Sequence, residues 1–254
     1  MPYKSRFKGY YLFGGDAAES CKDRLGGAAA VPTVGAGGIT YGANYLDLRQ
    51  GSSILMPFNS VPRDRTVFLV STPQFEERVF DGDATFKWPP TVSPSAAMTS
   101  NTGHYELGWN ANAQSYGWVG SAHSFRGETG FAATTSTYQK TTPTIGYKDA
   151  TFDFVPALKI IGHGPAGGYM YVQCGRALER AEFVGVAASP PASAPTKLGA
   201  RIDGAGEHQV MMAFAEASYL TEAEALIAGR KICADVEARG WTGFSHYPED
   251  GAAG

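Results

Sequence analysis

Short apolar, strand-like runs recur through most of this chain, and a helical period enters only near its end. HQVMMAFAEASYL (208–220) places Val210, Met212 and Phe214 on one face, the pattern of a half-buried strand. KLGARID (197–203), just upstream, is short and apolar and runs into a turn at Gly204-Ala205-Gly206. Beyond residue 220 the spacing becomes helical. Ala225, Leu226, Gly229, Ile232, Cys233 and Val236 form an apolar stripe, with Glu224, Lys231, Asp235 and Arg239 opposite. Thr221-Glu222-Ala223-Glu224 reads as a capping box, in which hydroxyl and carboxylate each satisfy the other residue's N–H. Gly240 supplies a stop. The spacing predicts a helix over 221–239 that lays its stripe on a sheet.

Strand signals recur upstream. They are KGYYLF (8–13), NYLDLR (44–49), SSILMPF (52–58), RTVFLVST (65–72), HYELGW (104–109), SYGWVG (115–120), ATFDFVPALKIIG (150–162), GYMYVQCG (168–175) and AEFVGVAA (181–188). Gly35-Ala-Gly-Gly38 reads as a turn, and Gly164-Pro-Ala-Gly-Gly168 as a hairpin loop with His163 exposed beside it. Residues 81–103 and 189–195 read as long loops, because the prolines of SPPASAP are excluded from a central strand. Roughly eleven strands against one helix suit an all-β, two-sheet jelly-roll sandwich, with the helix packed at its edge. No linker divides the chain, so residues 1–254 are expected to form one domain, with a loose tail at 246–254.

Composition narrows the function. The chain has 254 residues with 32 glycines, 15 prolines, 12% aromatic and 18% charged residues, as expected of many turns and flat apolar strands. A net charge of −3 argues against a nucleic-acid partner, which needs clustered Lys and Arg. No apolar run approaches the roughly 18 residues of a membrane span. The start, MPYKSRFKGYYLFGG, has too short an apolar run for a signal peptide, so synthesis in a bacterial cytoplasm without export by that route is expected. Cys21, Cys174 and Cys233 lack paired spacing and are expected to be reduced and structural.

Several pieces resemble a known family. Leu198-Gly199-Ala200, Asp203-Gly204 and the run Tyr219-Leu220-Thr221-Glu222-Ala223-Glu224-Ala225-Leu226 are similar to the closing segment of laminin-G-like, concanavalin A-like lectin/glucanase domains. GYYLFGGDAAESCKDRLGG (9–27) is similar to the opening strand and loop of that family. Tyr45-Leu46-Asp47-Leu48 followed by Arg65–Val70 is similar to its paired strands. The order of these pieces is that of the family. One departure is that Val210–Glu216 lacks the glycine the family usually carries before the helix, so no site is carried over there. Domains of this type resemble those of bacteriophage tail and other virion proteins. The resemblance therefore implies a virion location, host-surface polysaccharide and other virion proteins as partners, and a homo-oligomer, with a trimer as the habit of such fibres.

The chemistry was weighed on the residues themselves. A glucanase would carry carboxylates at alternate strand positions, and Phe75-Glu76-Glu77-Arg78 and Glu179-Arg-Ala-Glu182 lack that spacing. The histidines are scattered and no serine sits in a nucleophile elbow, so no catalytic residue is expected. Gly35–Gly38 lacks the Lys-Ser/Thr of a phosphate loop. Asp81 and Asp83 offer two hard oxygen ligands in a loop, so calcium is possible though no cofactor is required. HYELGWNANAQSYGWVGSAH (104–123) sets Tyr105, Trp109, Tyr116 and Trp118 around a polar turn with Asn110 and Asn112. Aromatic faces stack on sugar C–H patches and amides bind vicinal hydroxyls, so these six residues are the candidate glycan site. Alternation groups Tyr105 with Trp109, and Tyr116 with Trp118. This grouping puts Leu107 on the other face, and it leaves open which face points inward. The expected function is a non-enzymatic adhesion module of a phage or phage-like particle. A structural joint or decoration is the alternative, and a divergent polysaccharide hydrolase or lyase is third.

Overall fold

The computed structural model describes residues 1–49, 51–60, 64–71, 91–94, 105–112, 115–121, 157–164, 167–173, 178–183, 194–199 and 208–241. Fourteen strands lie among them in two sheets, and every pairing among the described residues is antiparallel. The larger sheet holds β1 (Phe7–Leu12), β3 (Ile39–Tyr41), β4 (Leu46–Arg49), β6 (Arg65–Ser71), β10 (Ala157–Gly164), β11 (Gly167–Gln173), β12 (Leu178–Phe183) and β14 (His208–Ala217). Its order is β12-β11-β10-β6-β14-β4-β3, with β1 added along β14. The smaller sheet holds β2 (Val31–Thr33), β5 (Ser53–Ser60), β7 (Thr91–Pro94), β8 (Tyr105–Asn112), β9 (Ser115–Ser121) and β13 (Ala194–Gly199), in the order β2-β5-β13-β7-β8-β9.

The C-terminal helix α2 (Glu222–Glu237) forms for the reasons read from sequence. Both halves of the Thr221/Glu224 capping box are made, and Gly240 takes a positive φ of 94° just past the end. Ala225, Ala228, Gly229, Ile232, Cys233 and Val236 are buried, so the stripe gains Ala228, while Leu226 is only partly covered. The helix does not sit at an edge. It lies over β10, β6 and β14, the middle of the larger sheet, because it leaves directly from the central strand β14. Phe68, Val70, Leu158, Ile160, Tyr169, Tyr171, Val210, Met212 and a row of alanines meet it. The alanines bring the backbones close, and tyrosines close the rim. Tyr169 donates to the Leu220 carbonyl at 2.7 Å, Tyr171 to Glu222 at 2.8 Å and Tyr10 to Asp235 at 2.9 Å. A Cβ at Gly162 would run into the Tyr169 ring, so the glycine makes room for it.

The parity of β14 differs from the simple alternation. A bulge between Met211 and Ala213 inserts one residue against β6. Val210 and Met212 therefore face the helix with Ala213, Ala215 and Ala217, whereas Phe214 turns away and stacks on Tyr11 at 6.5 Å. The two C-terminal strands, β13 and β14, lie in different sheets. Pro195 does sit in a central strand, β13, but at a bulge where pairing with β5 is broken and before pairing with β7 begins. Pro57 of β5 lies in the same unpaired stretch. Within 81–103, residues 91–94 form β7 rather than loop. His163 is a paired strand residue, opposite Gly168 on one side and Arg65 on the other, because β10 runs on as far as Gly164, which pairs with Gly167.

Shorter elements escaped the periodicity. Helix α1 (Ala17–Cys21) is one turn capped by Asp16, and β2 and β3 span three residues each, too few to show a period. Asp23 is buried beside β1 and accepts from the N–H groups of Tyr10, Leu25 and Gly27. Arg24 N–H donates to the Tyr10 carbonyl, so this loop occupies the outer edge of β1. Cys21 and Cys233 are buried, and burial pushes both thiols up, as expected of structural rather than reactive cysteines. Cys174 lies outside the described residues, as do the 204–206 turn and the 246–254 tail.

Candidate functional site

The candidate aromatic strands form a hairpin at one end of the smaller sheet. β8 pairs with β9 from Glu106↔Ser121 to Asn112↔Ser115, and β9 closes the strand order. Trp109 is directly opposite Trp118, and Ala111 is opposite Tyr116. Partners across a ladder share a face, so Tyr105, Trp109, Tyr116 and Trp118 occupy register positions of one face. Leu107, opposite Gly120, has the same parity and belongs to that row, contrary to the sequence expectation. Asn110 and Asn112 occupy the other parity, with Glu106 and Gly108.

The ladder also relates these faces to the rest of the fold. Tyr105 is opposite Val92 on β7, and Val92 is opposite Leu198 on β13. Leu198 is fully buried, two residues from Thr196, whose hydroxyl reaches Glu216 of the larger sheet. The aromatic row thus has the parity of the face turned toward the larger sheet. The asparagines have the parity of the opposite, outer face. On that outer face, the described part of β2 and β5 presents Val31, which is 56% exposed, and exposed Pro57 and Asn59. α2 covers the far side of the larger sheet, so the two outer faces of the fold differ in their cover.

Comparison with solved structures follows this geometry. The HCR/D F1240A mutant matches with a TM-score of 0.50 at 10% identity, over 93% of this chain and 52% of that one. The VIP36 exoplasmic/lumenal domain in its Ca2+/Man2-bound form matches at 0.47 and 8% identity, over 86% and 91%. A mutant Trypanosoma rangeli sialidase displaying trans-sialidase activity matches at 0.47 and 11% identity, over 87% of this chain and 32% of that one. These neighbours are concanavalin A-like lectin folds. No family model and no curated protein matches the sequence. At such identities the likeness speaks to fold alone.

A fold of two antiparallel sheets leaves the chemistry to be found in particular residues. Asp81 and Asp83 lie outside the described residues. Among the described residues no group of three or more His, Cys, Asp or Glu could hold a metal ion, and no helix is long and apolar enough to cross a membrane. The polar cluster that sequence reasoning missed is internal. Glu216, fully buried on β14, accepts from Arg65 Nη2 at 3.0 Å and Thr196 Oγ1 at 2.7 Å, and Lys8 Nζ lies 3.5 Å from its other oxygen. Three of these residues stand in apolar strand patterns, Lys8 in KGYYLF, Arg65 in RTVFLVST and Glu216 in HQVMMAFAEASYL, and their charges were the available signal.

Proposed function

We propose that this chain is a non-enzymatic carbohydrate-binding module, a single jelly-roll sandwich over 1–254 whose glycan contact lies on the β8–β9 hairpin. The observation that carries the reading is the hairpin register, on a concanavalin A-like lectin fold. It gives the four aromatics one register parity and Asn110 and Asn112 the other. In this reading the amides bind vicinal hydroxyls from the outer face, while Tyr105, Trp109, Tyr116 and Trp118 hold the hairpin rigid beneath them. Single-site affinity would be low, and several copies, a trimer by the habit of such fibres, would supply avidity. Calcium at Asp81 and Asp83 belongs to the same proposal. The sequence resemblance alone supports a phage or phage-like virion as its location, with host-surface polysaccharide and other virion proteins as partners.

The aromatic parity favours one second reading. A row shared with buried Leu198 is what a structural joint or decoration would use as core. A glycan array probed with and without calcium separates the two. Saturable binding supports the module, and calcium dependence brings Asp81 and Asp83 into it. Silence from a well-folded protein overturns the module in favour of the joint, and degraded glycans would establish a hydrolase or lyase.

A further inference from the structure

We propose that Glu216 is a positioning residue that sets the height of the smaller sheet against the larger one, and through it the β8–β9 hairpin. Three features carry this. Its carboxylate gathers Lys8 from β1, Arg65 from β6 and Thr196 from β13, so one side chain ties both sheets. Thr196 and Glu216 are fully buried and Arg65 nearly so, in an interior otherwise filled by Tyr11, Leu69, Phe214, Ile54, Met56 and Leu198. Apolar burial is non-directional, whereas a charge-assisted bond from a buried hydroxyl fixes a distance and a direction. Finally, Thr196 sits at the start of an unbroken ladder. It is opposite Pro94, and the pairing continues through Val92 to Tyr105 and the Trp109/Trp118 pair. Moving Thr196 along its strand would carry that whole ladder with it. Thr196 lies at the one register shift between β13 and β5, where the ladder to β5 is interrupted and the contact to Glu216 is an additional tie.

The inference concerns packing and stands whether or not the hairpin binds sugar. Thr196→Val removes the hydroxyl at nearly constant volume and leaves the Arg65–Glu216 bond in place. Amide exchange is read strand by strand in the full chain. The expected result is roughly tenfold faster exchange in β13, β7 and β8, with β10 and β11 unchanged. Faster exchange of equal size in both sheets would mean a merely global loss of stability and overturn the proposal, as would no change anywhere. Glu216→Gln keeps an acceptor for Thr196 but leaves Lys8 and Arg65 without a counter-charge, so exchange in β13 is compared with that of β10 and β11 in the same variant; on that ratio it is expected to lose less protection than Thr196→Val, and the reverse order also overturns the proposal.

Discussion

One strand, β14, borders two kinds of interior. On the side facing α2 it offers Ala213, Ala215 and Ala217 to an apolar helix stripe, with tyrosine hydroxyls at the rim. On the side facing the smaller sheet it offers Phe214 and Glu216, and the latter carries two cations and a threonine. The first layer is specified by periodicity and small residues, so many positions share the work. The second is specified by one carboxylate and its partners, so its sensitivity is concentrated.

The largest way to break this contrast is alkali. Burial foremost, and for Tyr10 the neighbouring Asp235 carboxylate, hold the Tyr10, Tyr11 and Tyr169 phenols far above their usual value of 10.0. A folded-state pKa raised in this way stabilises the fold below the unfolded value and is lost as pH climbs past it. Cooperative unfolding is therefore expected above pH 10, with tyrosinate absorbance appearing together with loss of near-UV circular dichroism. Gradual ionisation without unfolding would show that the Tyr10 and Tyr169 hydroxyls are not held in the helix-side layer, nor that of Tyr11 between the sheets.

Next comes Glu216→Ala, expected to destabilise by about 3–5 kcal/mol in denaturant titration, because Arg65 keeps its charge in the interior and half-buried Lys8 loses its counter-charge. Ile232→Ala on the helix side is expected to lose about 2–4 kcal/mol by opening a cavity, while Ile227→Ala, 46% exposed on the same helix, should stay within about 0.5 kcal/mol. If Ile232→Ala proved worse than Glu216→Ala, the concentrated and distributed layers would be reversed. The smallest effect is Thr221→Ala, about 1 kcal/mol, since it removes one cap from a helix held mainly by its stripe.

The contrast also explains what was legible beforehand. α2 was readable to within two residues because a helix period and a capping box say the same thing locally. Most long strands were readable from alternation. Phe214 was assigned to the wrong face because a bulge at Met211–Ala213 shifts parity without any glycine or proline to announce it. Pro195 was excluded from β13 by a rule that holds for regular ladders and fails where the ladder is already broken. α1, β2 and β3 were missed because three to five residues cannot show a period. The Glu216 cluster joins residues 8, 65, 196 and 216, and nothing in a linear pattern pairs such distant positions. At the candidate hairpin the residues were named from composition, but their division between two faces needed the ladder from Leu198 through Val92 to Tyr105.

The central functional claim is that the outer parity of the hairpin makes the glycan contact while the aromatic row supports it. It is tested most directly by the affinity of an Asn112→Ala variant for the best glycan found on the array. The account predicts binding at least about tenfold weaker with an unfolding midpoint unchanged from wild type. Wild-type affinity in that variant would contradict it and return the site to the other face.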